Sequence, residues 1–555
     1  MPTLARARWL DAALPVVSAL ALAALFQGGL LFEGPLRQLD WDVHYHYYDW
    51  IHIGLVRHGT LPLFMADAWH TPNFVANAQS PVLGPLVGLL GLLETDTYIK
   101  LLIWLYTSVG LLGGYWLARD LGARAPVAAV TSVTWAMSGF FAAHLSVGHH
   151  WSLGAYLVPL LLFAFRRAID GSPGALVGAA AVNALAALEG QHHPFLWQNG
   201  ILVTWAALEC LRIRSPRPLV CLGQVLALTL GLGAVRLIPV FSEFADYAPQ
   251  WRIGGLPPSA LAFSLLSADQ GRETAGFGVV FQHDSGWWEY TFYLGAAGLA
   301  FALVGAAAGA RRSWPLLAIA AVLGLASLDT RALGFDAWDW LQHLPAVNSQ
   351  RGPSRLLGVA LFPLIFAAAP GWQRILDACA ERWPGVGRRA AHAAMCVLGL
   401  WITVDLVGAA RDWQAGSVGA PQESRAHRLA PPQLLRTPGT VTALAIEPNR
   451  LHYRVEAERT GILLFHLVFA QQRGQWSADP LPVIAGPNGA LAVGVPAGSH
   501  DVVLRYRPRG LVAGAGISLA TGIGALVWWR RRRTRARPSS GADAGAAAGS
   551  AGAAD

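Results

Sequence analysis

Residues 97–144 read TYIKLLIWLYTSVGLLGGYWLA, then RDLGARA, then PVAAVTSVTWAMSGFFAAH. Runs of about 17–25 apolar residues are long enough to cross a bilayer as a helix. Here two such runs flank a short turn that holds Arg119 and Arg124, and Lys100 is the one charged side chain inside either run. An apolar run, an arginine turn and a second apolar run are the signature of a chain that crosses a membrane repeatedly.

The rest of the chain repeats the pattern. Of 555 residues, 54% are hydrophobic and 13% charged, and the mean hydropathy is +0.40. Soluble domains carry about a quarter charged residues. The length would allow three or four soluble domains, but only one long polar stretch could form one. Disorder, collagen and coiled coil are excluded by the apolar content and the lack of a strict repeat. The expected fold is a polytopic all-α membrane protein of about twelve transmembrane helices. Spans are expected at 9–32, 97–118, 126–144, 152–167, 173–190, 195–211, 218–240, 290–310, 313–328, 356–371, 391–410 and 511–529. The first is read as a retained anchor, since its apolar run is long and no clean cleavage site follows. The apolar stretch 81–93 is too short to span and is expected to be interfacial or re-entrant.

The formal net charge is +8, and its placement argues against nucleic acid. Arginines gather between the spans: Arg119 and Arg124; Arg166 and Arg167; Arg212, Arg214 and Arg217; Arg311 and Arg312; Arg374 to Arg389; and Arg530 to Arg533 with Arg535 and Arg537. With both termini inside, every cytoplasmic connection bears arginine, as the positive-inside rule requires. Cys210, Cys221, Cys379 and Cys396 show neither a disulfide framework nor metal-type spacing.

The other side collects different chemistry. The first outer loop, 33–96, carries Asp40-Trp41-Asp42-Val43-His44-Tyr45-His46. Further outer loops bring His144, His149 and His150; Glu189-Gly190-Gln191-His192-His193; His283, Asp284 and Glu289; and Gln350-Arg351-Gly352-Pro353-Ser354-Arg355. His52, His58, His70 and His343 fall on this side too, and of 17 histidines only His392 lies near the cytoplasm. Ionisable groups at a membrane boundary are costly unless they line a wet cavity or pair with each other. Their convergence points to a site for a polar substrate. The competing reading is that outer loops avoid arginine for topological reasons and take histidine instead. Arg236 and Asp405 are charges within spans, read as a structural pairing or cavity lining.

From 412 to 510 the helical pattern gives way to alternation. Leu451, Tyr453 and Val455 face one way with His452 and Arg454 the other, and Val502, Leu504 and Tyr506 repeat this after Pro496-Ala497-Gly498. Such alternation between turns predicts antiparallel strands, here a small extracytoplasmic β-sandwich. The expected organisation is a membrane domain over 1–411, the sandwich over 412–510, a last span at 511–529, and a basic then disordered cytoplasmic tail over 530–555.

In these segments the chain resembles the YfhO family of bacterial membrane proteins, within the wider group of GT-C membrane glycosyltransferases. The resemblance is carried by the order of Trp41-Asp42-Val43-His44, Leu61-Pro62-Leu63-Phe64, Ala76-Asn77-Ala78-Gln79-Ser80-Pro81, Gly148-His149-His150, Glu189-Gly190-Gln191-His192, Gln350 to Arg355 and Pro496-Ala497-Gly498-Ser499-His500. It implies a polyprenyl-phosphate-linked sugar donor and a glycan, lipid or protein acceptor, in the bacterial cytoplasmic membrane with the site facing outward. It also implies that Asp42, just past the first span, is the catalytic carboxylate.

Sugar transfer needs a carboxylate to take the acceptor proton and cations to stabilise the leaving phosphate. Asp42 is the expected base. Asp40 joins it on one side if the segment is extended; loop solvation or helix capping would equally use such a pair. Arg351 and Arg355 share a face if the tenth span begins early, where their planar forks suit phosphate oxygens; snorkelling to the interface is the alternative. His44, His46, His149, His150, Glu189, Gln191, His192, His193 and Glu289 are candidate substrate-binding residues. Asp42, His149 and Glu189 are candidate ligands if a divalent metal takes part, although no HxxxH or HExxH spacing occurs. The rival function is a transporter or flippase for a lipid-linked or polar substrate, against which no inverted repeat is evident.

Overall fold

The computed structural model describes residues 2–37, 39–64, 73–244, 254–270, 286–331, 334–344, 347, 350, 352–384, 386–419, 431–468 and 474–535. Arg351, His70, His283, Asp284 and the tail beyond 535 lie outside the described residues. Seven helices among those described are long and apolar enough to cross a membrane, or eight if the bent pair Arg217–Leu232 and Ala234–Glu243 is one span. The chain is therefore a multi-pass membrane protein, with fewer qualifying helices than the twelve expected. Two of the shortfalls are the apolar stretch Ala13–Phe26, the C-terminal part of helix Pro2–Phe26, and the short apolar helix Pro173–Leu188. A third, His192–Ile213, is long but polar on one side, where Gln198 and Asn199 hydrogen-bond Asn183.

The two spans expected at 290–310 and 313–328 form one helical run, Gly295–Ser327, of 33 residues. A straight helix of that length would be about 50 Å long. Yet the Tyr290 hydroxyl donates to the Gly254 carbonyl at 3.5 Å, and Leu256 bridges to Leu328. Both ends thus return to one short segment, and the run folds back on itself. Arg312 packs against Gly122 in the Arg119–Arg124 turn, at the far end of this hairpin.

The first loop also departs from expectation. Asp40–His58 is not extended; it is a helix that buries Trp41, His44, Tyr47, Tyr48 and Ile51, an i, i+3, i+4 stripe. It ends at Gly59 in the left-handed conformation (φ 62°), whose N–H reaches the Gly54 and Leu55 carbonyls. Asp40 and Asp42 occupy its first turn, where acidic side chains complement the helix dipole. In 81–93, rich in Gly and Pro, only a short 3-10 turn forms at Val87–Gly91.

The C-terminal strands follow their alternation. They are β1 (Gln433–Leu435), β2 (Gly439–Glu447), β3 (Arg450–Ala457), β4 (Gly461–Val468), β5 (Trp476–Ser477), β6 (Val483–Ala485), β7 (Ala490–Val495) and β8 (Gly498–Tyr506). They make two four-stranded antiparallel sheets, ordered β1-β4-β7-β6 and β2-β3-β8-β5. Leu451 faces Leu504 and Tyr453 faces Val502 across β3 and β8. The Tyr453 ring then meets Phe465 of the other sheet at 5.5 Å, so the alternating apolar sides close on one core.

This β region is pinned to the first loop. In the β2–β3 turn, Asn449 accepts from the Leu63 N–H at 2.5 Å and donates to the Leu61 carbonyl at 2.9 Å. Phe64 inserts edge-on to Trp476 at 4.7 Å. The last helix, Leu511–Arg535, leaves β8 and lies on the bent pair, where Ser518 Oγ accepts from the Val235 N–H at 3.0 Å.

Asn449 is left-handed (φ 68°), so its two roles separate. Asn449→Gly should lose only the hydrogen bonds, about 1–2 kcal/mol. Asn449→Ala should lose about 1 kcal/mol more to backbone strain. Thermal unfolding of the detergent-purified chain reads both.

Candidate functional site

The site begins with a close approach. Gly148 is left-handed (φ 84°), and a Cβ there would stand 2.1 Å from the Trp41 nitrogen. Glycine lets the start of the Asp40–His58 helix settle on the turn after helix Gly139–Ser146. The Asp40 N–H donates to the Val147 carbonyl at 3.1 Å, and the Trp41 indole N–H to the Leu145 carbonyl at 2.8 Å. That contact sets Asp40 Oδ2 3.5 Å from His149 Nε2, while His149 Nδ1 lies 2.7 Å from His144 Nδ1. A neutral His149 that donates from Nε2 to Asp40 accepts at Nδ1 from His144. The carboxylate of Asp40 is 52% exposed, whereas both rings are buried. A half-wet acid therefore stands at the mouth with a dry histidine chain behind it.

The next turn of the helix reaches the same loop. His44 stacks at a tilt on His150 at 4.9 Å, and His150 Nε2 shares a 2.5 Å hydrogen bond with the Tyr48 hydroxyl. His46 is buried as well, its ring beside Tyr45. Asp42 is partly exposed, one helical position away from the Asp40–Trp41 contact. On a helix, residues two apart do not share a face, so the extended geometry expected for the acid pair does not form.

A third group gathers around Trp151. Arg355 grips Glu289 with two parallel bonds, Nε to Oε2 at 2.6 Å and Nη2 to Oε1 at 2.5 Å. Its Nη1 lies 3.0 Å from His193 Nε2, and its guanidinium sits 4.8 Å above the Trp151 ring. His193 Nδ1 in turn meets Gln350 Oε1 at 2.7 Å, and His192 lies ring to ring with His193 at 3.9 Å. Trp151 touches His149 at 5.3 Å and His193 at 5.1 Å, which joins this group to the Asp40 chain. The pair Arg355–Glu289 is 7% and 3% exposed. One edge of the arginine, expected to face a phosphate, is thus engaged by the carboxylate expected to face a substrate, and Nη1 by His193.

Glu189 stands apart, in the turn after helix Pro173–Leu188. It is fully buried, and neither carboxylate oxygen has a hydrogen-bond partner among the described residues. A Cβ at Gly84 would lie 2.6 Å from it, so glycine makes room for the carboxylate. Burial pushes its carboxyl up to about 8, and the Arg236 guanidinium pulls the other way. Arg236, expected to be structural, donates to the Ser80 carbonyl at 2.8 Å and to that of Asn77. Gln191, just after the turn, packs on Gly154. Asp405, the other charge within a span, accepts from the Tyr293 hydroxyl at 2.8 Å.

Among the described residues no group of three or more His, Cys, Asp or Glu side chains is close enough to hold a metal ion. The expectation of Asp42, His149 and Glu189 as joint ligands has no such cluster beneath it. Conversely, Tyr48, Trp151 and Gln350 were given no role by sequence reasoning, though all three tie the histidines together. Trp151 directly follows His149-His150, and that adjacency was the available signal.

Glu289→Gln should leave Arg355 buried without its counter-charge and destabilise the chain by about 3–5 kcal/mol, read as a lowered unfolding midpoint. Asp40→Asn, at the exposed mouth, should change stability by less than about 0.5 kcal/mol. Glu189 gives a pH signature. A carboxyl raised from 4.5 to about 8 contributes stability that is fully present below 4.5 and lost as pH rises through 8. Glu189→Gln should therefore gain on the wild type across that window, and unfolding midpoints at pH 5 and pH 8.5 check it.

No family model matches the chain, and no curated protein matches it. Among solved structures it is similar to the arabinofuranosyltransferase AftD from Mycobacteria, with TM-score 0.42 and 18% identity over 74% of this chain and 27% of that one. A mutant of the same enzyme gives TM-score 0.44 and 17% identity, covering 74% and 28%. The chain spans about a quarter of the length of those chains.

Proposed function

We propose that this protein is a membrane glycosyltransferase that moves a sugar from a polyprenyl-phosphate donor to a glycan, lipid or protein acceptor on the extracytoplasmic face. The observation that carries the reading is a juxtaposition: partly exposed carboxylates on the first turn of the Asp40–His58 helix, backed by a buried histidine chain and a buried arginine. The arginine-bearing turns at the opposite end take the cytoplasmic side under the positive-inside rule.

In this mechanism Asp42 accepts the proton of an acceptor hydroxyl as its oxygen attacks the anomeric carbon. The bond from that carbon to the lipid phosphate breaks, and the phosphate leaves with the electron pair. Arg351, with Arg355 behind it, stabilises the leaving group as charge builds. Asp40, held by His149, stands beside Asp42 on the same helical turn. Glu289 fixes the arginine fork, and Trp151 forms the apolar wall beneath it. His44, His150 and His192 offer hydrogen bonds to sugar hydroxyls.

One observation favours a transporter: Arg217–Leu232 and Ala234–Glu243 form an apolar span bent by 79°, as transporter helices are at their binding sites. The break is closed by Arg236 on the Asn77 and Ser80 carbonyls. Transfer and transport separate in one assay. Membranes containing the chain are given a panel of radiolabelled polyprenyl-phosphate sugars, and label is followed into polymer or across the bilayer. Asp42→Asn should lower incorporation by at least about 100-fold, with expression and unfolding midpoint unchanged, and Asp42→Glu should recover part of it. Full incorporation by Asp42→Asn defeats the proposal.

A further inference from the structure

The end of the molecule away from the histidines holds an open cleft, which the proposed reaction does not use. It has a volume of about 80 Å³ and is walled by Arg166, Arg212, Arg312, Trp205, Glu209 and Ser313. Its arginines come from three different elements: the ends of helices Val158–Ile169 and His192–Ile213, and the hairpin turn of Gly295–Ser327.

The charges do not cancel. Arg212 is held by Glu209 at 2.7 Å, and Arg166 by Asp120 at 2.6 Å. Asp120 is shared with Arg167 at 2.9 Å. Arg312 is exposed and has no carboxylate partner among the described residues. Around the opening itself one acid, Glu209, faces three arginines. The paired arginines are braced, since Arg166 also lies 5.8 Å from the Trp205 ring. A braced fork beside an open one is a seat for an anion with several oxygens.

The chain neighbours of two lining residues say where that anion comes from. Leu211 and Ile213, on either side of Arg212, are 69% and 37% exposed, and Trp314, next to Ser313, is 37% exposed. In a membrane protein such side chains face acyl chains, and Trp sits at headgroup level. A cationic pocket at headgroup depth beside an acyl-facing surface is suited to an anionic phospholipid.

We propose that this cleft is a binding site for the phosphate headgroup of an anionic phospholipid, with Arg312 as its open cation. The headgroup phosphodiester accepts from Arg312 and from the free edges of Arg166 and Arg212, while Ser313 offers a hydroxyl. The acyl chains lie along Leu211 and Ile213. The site is separate from the transfer site and stands whether or not the chain moves a sugar.

The test uses the full chain in neutral detergent. Thermal unfolding is followed while dioleoyl phosphatidylglycerol, dioleoyl phosphatidylcholine or inorganic phosphate is titrated in. The expected result is a saturable rise in midpoint with phosphatidylglycerol alone, its apparent affinity about tenfold weaker in Arg312→Ala and largely restored in Arg312→Lys. An equal rise with inorganic phosphate would assign the pocket to a soluble anion and overturn the lipid. An equal rise with phosphatidylcholine, or an unchanged affinity in Arg312→Ala, overturns the site.

Discussion

The left-handed turn at Gly148 is the constraint on which the candidate site depends. With no Cβ in the way, the backbone of Asp40 and Trp41 can rest directly on the loop that carries His144, His149 and His150. Any side chain at this position would push the Asp40–His58 helix off by more than an ångström. The same displacement would part Asp40 from His149, His44 from His150, and Tyr48 from its hydrogen bond. One missing methyl thus sets the register between two polar surfaces, and Trp151 carries that register on to Arg355 and His193.

Polar groups in this chain follow a division of labour that charge counting could only outline. At the arginine end, cations outnumber acids and remain partly exposed. At the histidine end, the one buried arginine of the Trp151 group is matched by its own carboxylate, and the rings bond to one another. Low-dielectric surroundings make that satisfaction obligatory. Glu189 departs from this: it is a carboxylate with an arginine nearby and, among the described residues, no hydrogen-bond donor on either oxygen, and burial raises its affinity for a proton.

Much of this was legible in the residues. Apolar length located seven or eight spans among the described residues, short of the twelve expected, because hydrocarbon tolerates few alternatives, and period-two alternation located β3 and β8, down to which side faces the core. The helix at Asp40–His58 was hidden by its composition. Its buried stripe is built of Trp, His and Tyr, which score as polar or ambivalent, so a periodicity read from aliphatic residues alone passes over it. The fold-back of Gly295–Ser327 was visible as the Arg311–Arg312 pair, though helical structure runs through the turn. The pairing of Arg355 with Glu289 could not be seen, since 66 positions separate them and only tertiary packing chooses a partner for a charge.

The Asn449 contact bears on the order in which the molecule can be made. The Leu61 carbonyl and the Leu63 N–H find their partner 388 and 386 residues later in the chain. While the ribosome is still adding the middle helices, that stretch of the first loop has no companion and must be kept wet. Contacts of such long sequence separation form late. The mouth of the site lies on the helix that runs into this loop, so its support is completed only after the β region has emerged and folded. A chain that stalls or is cut before residue 449 inserts its early spans yet lacks the brace beneath them.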